Sequence, residues 1–128
     1  MSDMRKVAEA IATLERIQSQ LAGIATRQDD GRRHDLIDLR RALSVQIGTV
    51  GKLAEAWLAS IDDPAAFRVY REKFSRMRTC AAVHQATWPA VRLDEADESY
   101  RRSASEVREA NQDFIQWMRS QLAVRRTG

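Results

Sequence analysis

Apolar residues return every three or four positions along most of this 128-residue chain. That spacing lines one face of an α-helix, and four such stripes can be traced. Val7, Ile11, Leu14, Ile17, Leu21 and Ile24 form the first and predict a helix over about 3–27, with Ser2 or Asp3 able to cap its free amides. Leu36, Leu39, Leu43, Ile47, Val50, Ala54, Trp57 and Ile61 form the second, over about 33–61. In the third, Phe67, Tyr70, Phe74, Met77, Ala81, His84 and Trp88 alternate steps of three and four without a slip, as in a coiled-coil seam, over about 64–88. The fourth, over about 94–124, places Ala96, Tyr100, Ala104, Val107, Asn111, Phe114, Met118 and Leu122 on one face.

The breaks between stripes carry their own chemistry. In "RQDDG", Asp29 and Asp30 can bond the local backbone, and Gly31 can take a positive φ. In "DDP", Asp63 is placed as a cap, and Pro64 occupies the first helical position, where a missing N–H costs nothing. Pro89 disfavours helix at the residue before it, so it ends or kinks the third helix. "PAVRL" then reads as a connection, and Asp94, with Asp97 three residues on, as the capping arrangement of the last helix. Long helices with short connections predict an all-α, antiparallel up-and-down bundle of four helices, one domain over 1–128. The three tryptophans lie close to stripe positions and are read as core fillers.

Composition narrows the class. Apolar residues make up 44% and charged residues 30%, a globular balance and not a disordered one. No apolar run approaches the length of a membrane span. Charges interrupt "MSDMRKVAEAIATLERI", unlike the hydrophobic region of a signal peptide. The single Cys80 can form neither an internal disulfide nor a zinc site, so the expected compartment is the cytoplasm. Gly-rich phosphate loops, paired Glu-x-x-His motifs, zinc spacings and Cys–His nucleophile arrangements are missing, so no metal or cofactor is expected.

Charge is uneven. Residues 1–64 carry nine Lys/Arg against ten Asp/Glu, and residues 65–128 carry twelve against eight. The excess gathers in "FRVYREKFSRMR", where Arg68, Arg71, Lys73, Arg76 and Arg78 accompany a lone Glu72, a run suited to an anionic partner.

Two histidines invite chemistry. On a helical wheel His34 falls opposite the stripe of its helix, beside Asp38, and is expected at the surface, bonded to Asp38 or to water. An exposed histidine on a helical bundle resembles a histidine phosphotransfer domain, which implies His34 as phosphoryl acceptor. Ile37 and Asp38, however, occupy the positions where that family carries Lys and Gly, and a carboxylate one turn away repels phosphoryl oxygens. His84 belongs to the third seam, and Asn111 on the fourth is its expected partner, a polar pair able to fix register. "RTCAAVH", Arg78 to His84, also resembles the Arg-x(4–6)-His motif of HEPN ribonucleases. The resemblance implies metal-independent RNA cleavage with His84 as acid/base and Arg78 on the phosphate.

Gly48 and Gly51 are unusual inside a helix, each costing about 1 kcal/mol relative to Ala. They allow a bend, a break or a close approach. Ile37 and Val45 lie near Gly48 on the outer side, a small patch fit for a partner helix or a second copy. Finally, "VREANQDFIQWMRSQL", with Asn111 three residues before Phe114 and Ile115, is similar to the flagellar export chaperones, small cytoplasmic helical proteins that bind their substrates' terminal helices. The expected function is therefore non-enzymatic: an adaptor, export-chaperone-like or assembly protein that binds another protein through Ile37, Val45, Gly48, Arg68, Arg71 and Arg78. A homodimer and an RNA-cleaving or phosphotransfer role are the alternatives.

Overall fold

The computed structural model describes residues 2–90, 92 and 97–127. Four helices, α1 (Ser2–Ile24), α2 (Arg32–Ala59), α3 (Pro64–Thr87) and α4 (Glu98–Thr127), form an all-α bundle with no strand among the described residues. Chain-order neighbours pack side by side and α4 closes the ring against α1, as in an up-and-down topology. The α1–α2 contact is the most extensive and the α2–α3 contact the sparsest.

Local chemistry accounts for most helix boundaries. Asp63 caps α3 by accepting from the Ala66 amide at 3.1 Å, with Pro64 in the first turn. Pro89 ends α3 and does not kink it: the helix stops at Thr87, and Trp88 is already extended at φ −123 and ψ 74. The start of the fourth helix expected at Asp94 lies outside the described residues; within them α4 begins at Glu98, and Asp97 accepts from the Tyr100 amide at 3.1 Å.

The α1–α2 turn departs from expectation. Gly31 keeps φ at −75, and no described glycine has positive φ. The turn is held from the side chains instead. The Arg27 guanidinium donates to Asp29 through Nε at 2.8 Å and to Asp35 through Nη1 at 2.6 Å. This clamp holds the Asp29 carboxyl down near about 2.

The stripes bury as their spacing requires, but the core is split. A large cluster runs from Val7, Ile11 and Leu14 through Val50 and Trp57 to Met77, Phe114 and Met118. Phe67, Tyr70, Phe74 and Phe114 form a continuous aromatic group within it, with ring centroids 5.4–6.1 Å apart. A separate small cluster of Ile24 and Leu36, with Leu39, Ala90 and Tyr100 against it, closes the end that carries the α1–α2 and α3–α4 connections. Trp57 is buried, whereas Trp88 and Trp117 are partly buried. Ion pairs clasp the helices outside: Arg119 grips Glu15 from α4 to α1 at 2.7 and 2.9 Å, and Lys73 reaches Asp113 at 2.8 Å.

Candidate functional site

Two features stand out once the core is removed from view. One is a cavity of about 80 Å³ bordered by members of both core clusters, Leu36 from the small one and Leu43 and Val107 from the large one, with Leu21 packed against both. The polar or charged residues buried among the described ones are Gln18, Arg40, His84 and Asn111, and all of them line this cavity. Each helix contributes one. The arrangement follows from spacing: Arg40 lies four residues after Leu36 and three before Leu43, and Gln18 four after Leu14 and three before Leu21. Both therefore occupy positions that an apolar residue would normally take in a stripe.

Few of these polar atoms are satisfied. Asn111 is 1% exposed, and neither its Oδ1 nor its Nδ2 has a hydrogen-bond partner. Gln18 donates to the Arg108 carbonyl at 3.5 Å, but its Oε1 has no partner. Arg40 is 9% exposed, makes no ion pair among the described residues, and leaves Nη2 unpartnered. Burial lowers the Arg40 pKa, an effect partly offset by the nearby Tyr100 phenol. Buried polar groups are ordinarily paired, and buried cations almost always are.

His84 is buried, as its seam position predicts, but its partner is not Asn111. Its Nδ1 lies 2.7 Å from the Ser103 hydroxyl, and its ring sits 5.3 Å from that of Tyr100. Burial, and then the Arg40 charge, push its pKa down to about 4, so the imidazole is neutral at pH 7. Tyr100 in turn meets Trp88 edge-on at 5.6 Å, and Arg92 lies over Trp88 at 4.9 Å, which roofs this end of the bundle.

The second feature is a groove of about 530 Å³ along the α2–α3 seam. Ile47, Gly51, Phe74 and Ala81 contribute apolar surface, and Gly48, Lys52 and Arg78 line it as well. The two glycines differ here. A Cβ on Gly51 would stand 2.8 Å from the Phe74 ring, and the Tyr70 hydroxyl donates to the Gly51 carbonyl at 3.3 Å, so Gly51 is where α3 comes closest to α2. A Cβ on Gly48 would meet nothing within 4 Å. Neither glycine breaks α2, which is continuous over Arg32–Ala59.

Of the six residues expected to contact a partner, three border this face. Gly48 and Arg78 line the groove, and Arg71 joins Arg78, Tyr70 and Phe74 in an adjoining cleft. Ile37, Val45 and Arg68 are exposed but line neither. Arg78 lies 5.7 Å from the Phe74 ring on the outside, while His84 faces the interior cavity, so the two do not share a site. His34 is exposed, and its Nε2 is 3.2 Å from Asp38, the surface arrangement expected of it. Among the described residues no group of His, Cys, Asp and Glu is placed to hold a metal ion, and no helix is long and apolar enough to cross a membrane.

Sequence reasoning missed Gln18 and Arg40. The signal was present, since each is a polar residue at stripe spacing. Comparison with protein-family models, with curated proteins and with solved structures found no significant match.

Proposed function

We propose that this bundle is a non-enzymatic protein-binding module that receives one helix of another protein along the α2–α3 groove, in a cytoplasmic setting consistent with its lone Cys80. The observation that carries the reading is the seam itself. α2 and α3 pack most sparsely of the neighbouring helices, and Gly48 leaves open space above an apolar floor that includes Ile47 and Phe74. The fitting occupant is apolar along one edge and acidic beside it. Lys52, Arg71 and Arg78 border the groove and its cleft with no ion pair to an acidic side chain among the described residues, and Arg68 and Arg76 extend the positive charge along α3. Glu55 and Glu72 on the same face leave the balance positive.

Binding without catalysis is supported by how the reactive residues are separated. Arg78 and His84 belong to different sites, and the carboxylate beside His34 opposes a phosphoryl group.

The test is a photo-cross-linking residue at position 48, used in the native cytoplasm. A single dominant adduct is expected, lost when Arg71 and Arg78 are both changed to Glu while helix content is unchanged. Diffuse labelling that the double substitution leaves unaltered contradicts the reading.

A further inference from the structure

The groove leaves the interior cavity unexplained. Its polar lining is costly for a bundle that needs only to fold. A guanidinium that is 9% exposed, has no ion-pair partner among the described residues and leaves Nη2 unbonded sits with an asparagine that is 1% exposed and whose side-chain amide is bonded to none of them. Replacing such groups by apolar ones is often neutral or favourable for stability, so their presence calls for a ligand.

The chemistry of the lining selects the ligand. Among the described residues Arg40 is the charged side chain bordering the cavity that is itself buried, and a guanidinium presents a planar fork of donors matched to a carboxylate. The unpartnered Asn111 amide adds a second donor and Gln18 Oε1 an acceptor. His84 is neutral at pH 7 and adds no second positive charge. A monoanion is thus neutralised, whereas a dianion would carry an uncompensated charge into a wall of Leu21, Leu36, Leu43 and Val107. That wall suits a short aliphatic chain. A cavity of about 80 Å³ accommodates about five to eight water-sized groups. In heavy atoms this corresponds to about the span from propionate to hexanoate.

We propose that the cavity between the two core clusters binds a short aliphatic monocarboxylate, its carboxylate held by Arg40 and Asn111 and its chain lying against Leu36, Leu43 and Val107. The cavity and the α2–α3 groove meet at Ala81 and Gln85, which border both, while Arg40 and Asn111 border the cavity alone.

Calorimetric titration of butyrate into the full chain at pH 7, with amide shifts followed by NMR, tests this. Saturable one-to-one binding is expected, with the largest shifts at Gln18, Ala81 and Asn111. Inorganic phosphate binds at least about tenfold more weakly. Arg40→Met weakens butyrate about 10- to 150-fold, the equivalent of losing one hydrogen bond to a charged group. Ala104→Leu, which fills the cavity while keeping Arg40, weakens it as well, so the proposal stays open to refutation if Arg40→Met does not fold. Absence of saturation in the millimolar range, equal affinity for phosphate, or undiminished binding by a folded Arg40→Met or Ala104→Leu overturns it.

Discussion

The two ends of this bundle are built on different terms. At the α2–α3 turn the interior is aromatic and closely packed: Tyr70 stacks on Phe74, Phe114 meets Phe74 edge-on, and Phe114 and Met118 have no exposed surface. At the end carrying the other two connections, the same seams deliver Gln18, Arg40, His84 and Asn111 around a cavity. The first end is the kind of packing that fixes a fold, because close-packed apolar contacts accumulate there. The second subtracts from stability, because buried polar groups left unpaired forfeit their hydration. A helix face that is continuous in periodicity is therefore not uniform in purpose.

The largest expected effect sharpens that contrast directly. Phe114→Ala should lose about 3–5 kcal/mol in urea unfolding, whereas Leu36→Ala beside the cavity should lose about 2 kcal/mol, since the loosely packed end can relax. Equal losses would remove the distinction between the ends.

Acid should act through the polar end. The His84 imidazole takes its proton near pH 6.5 when unfolded but near about 4 when folded. Stability is unaffected by it above pH 6.5 and falls as pH drops from 6.5 to 4, the loss reaching about 3 kcal/mol. His84→Gln should flatten the stability profile across that window. A wild-type profile already flat between those values would place the imidazole in water.

The two glycines should respond with opposite signs. Gly48→Ala, meeting open space, should stabilise by about 0.5–1 kcal/mol through helix propensity. Gly51→Ala, facing the Phe74 ring at 2.8 Å, should destabilise by about 1 kcal/mol despite the same propensity gain. Melting temperatures of the pair measure the closeness of the α2–α3 contact at the aromatic end.

Much of the fold is legible in the chain, because stripe spacing and breaker residues are local. The steps of three and four from Phe67 to Trp88, Asp63 before Pro64, and Pro89 after Trp88 determine α3 without tertiary information. The α1–α2 turn was not legible, because Arg27 reaches across it to Asp29 and Asp35, and side-chain clamps leave no periodic trace. The partner of His84 escapes the spacing for a related reason. Asn111 is on the facing seam, but Ser103, two turns earlier on α4, lies level with the imidazole once the antiparallel register is set. Spacing alone does not single out Arg40: Leu39 and Arg40 both satisfy the step from Leu36, and hydropathy favours Leu39 for the seam. In the bundle it is Arg40 that is buried and Leu39 that is partly exposed.

The polar end of the bundle is defined by Arg40, a buried cation with no carboxylate partner among the described residues. Urea unfolding of Arg40→Met against the wild-type chain, at pH 7 with no added carboxylate, measures this most directly. Removing an uncompensated charge should leave stability equal or raise it by about 1–2 kcal/mol, with the fold intact by NMR. A loss of about 3 kcal/mol or more would show instead that Arg40 is paired in the folded protein, and the polar end would then be ordinary core.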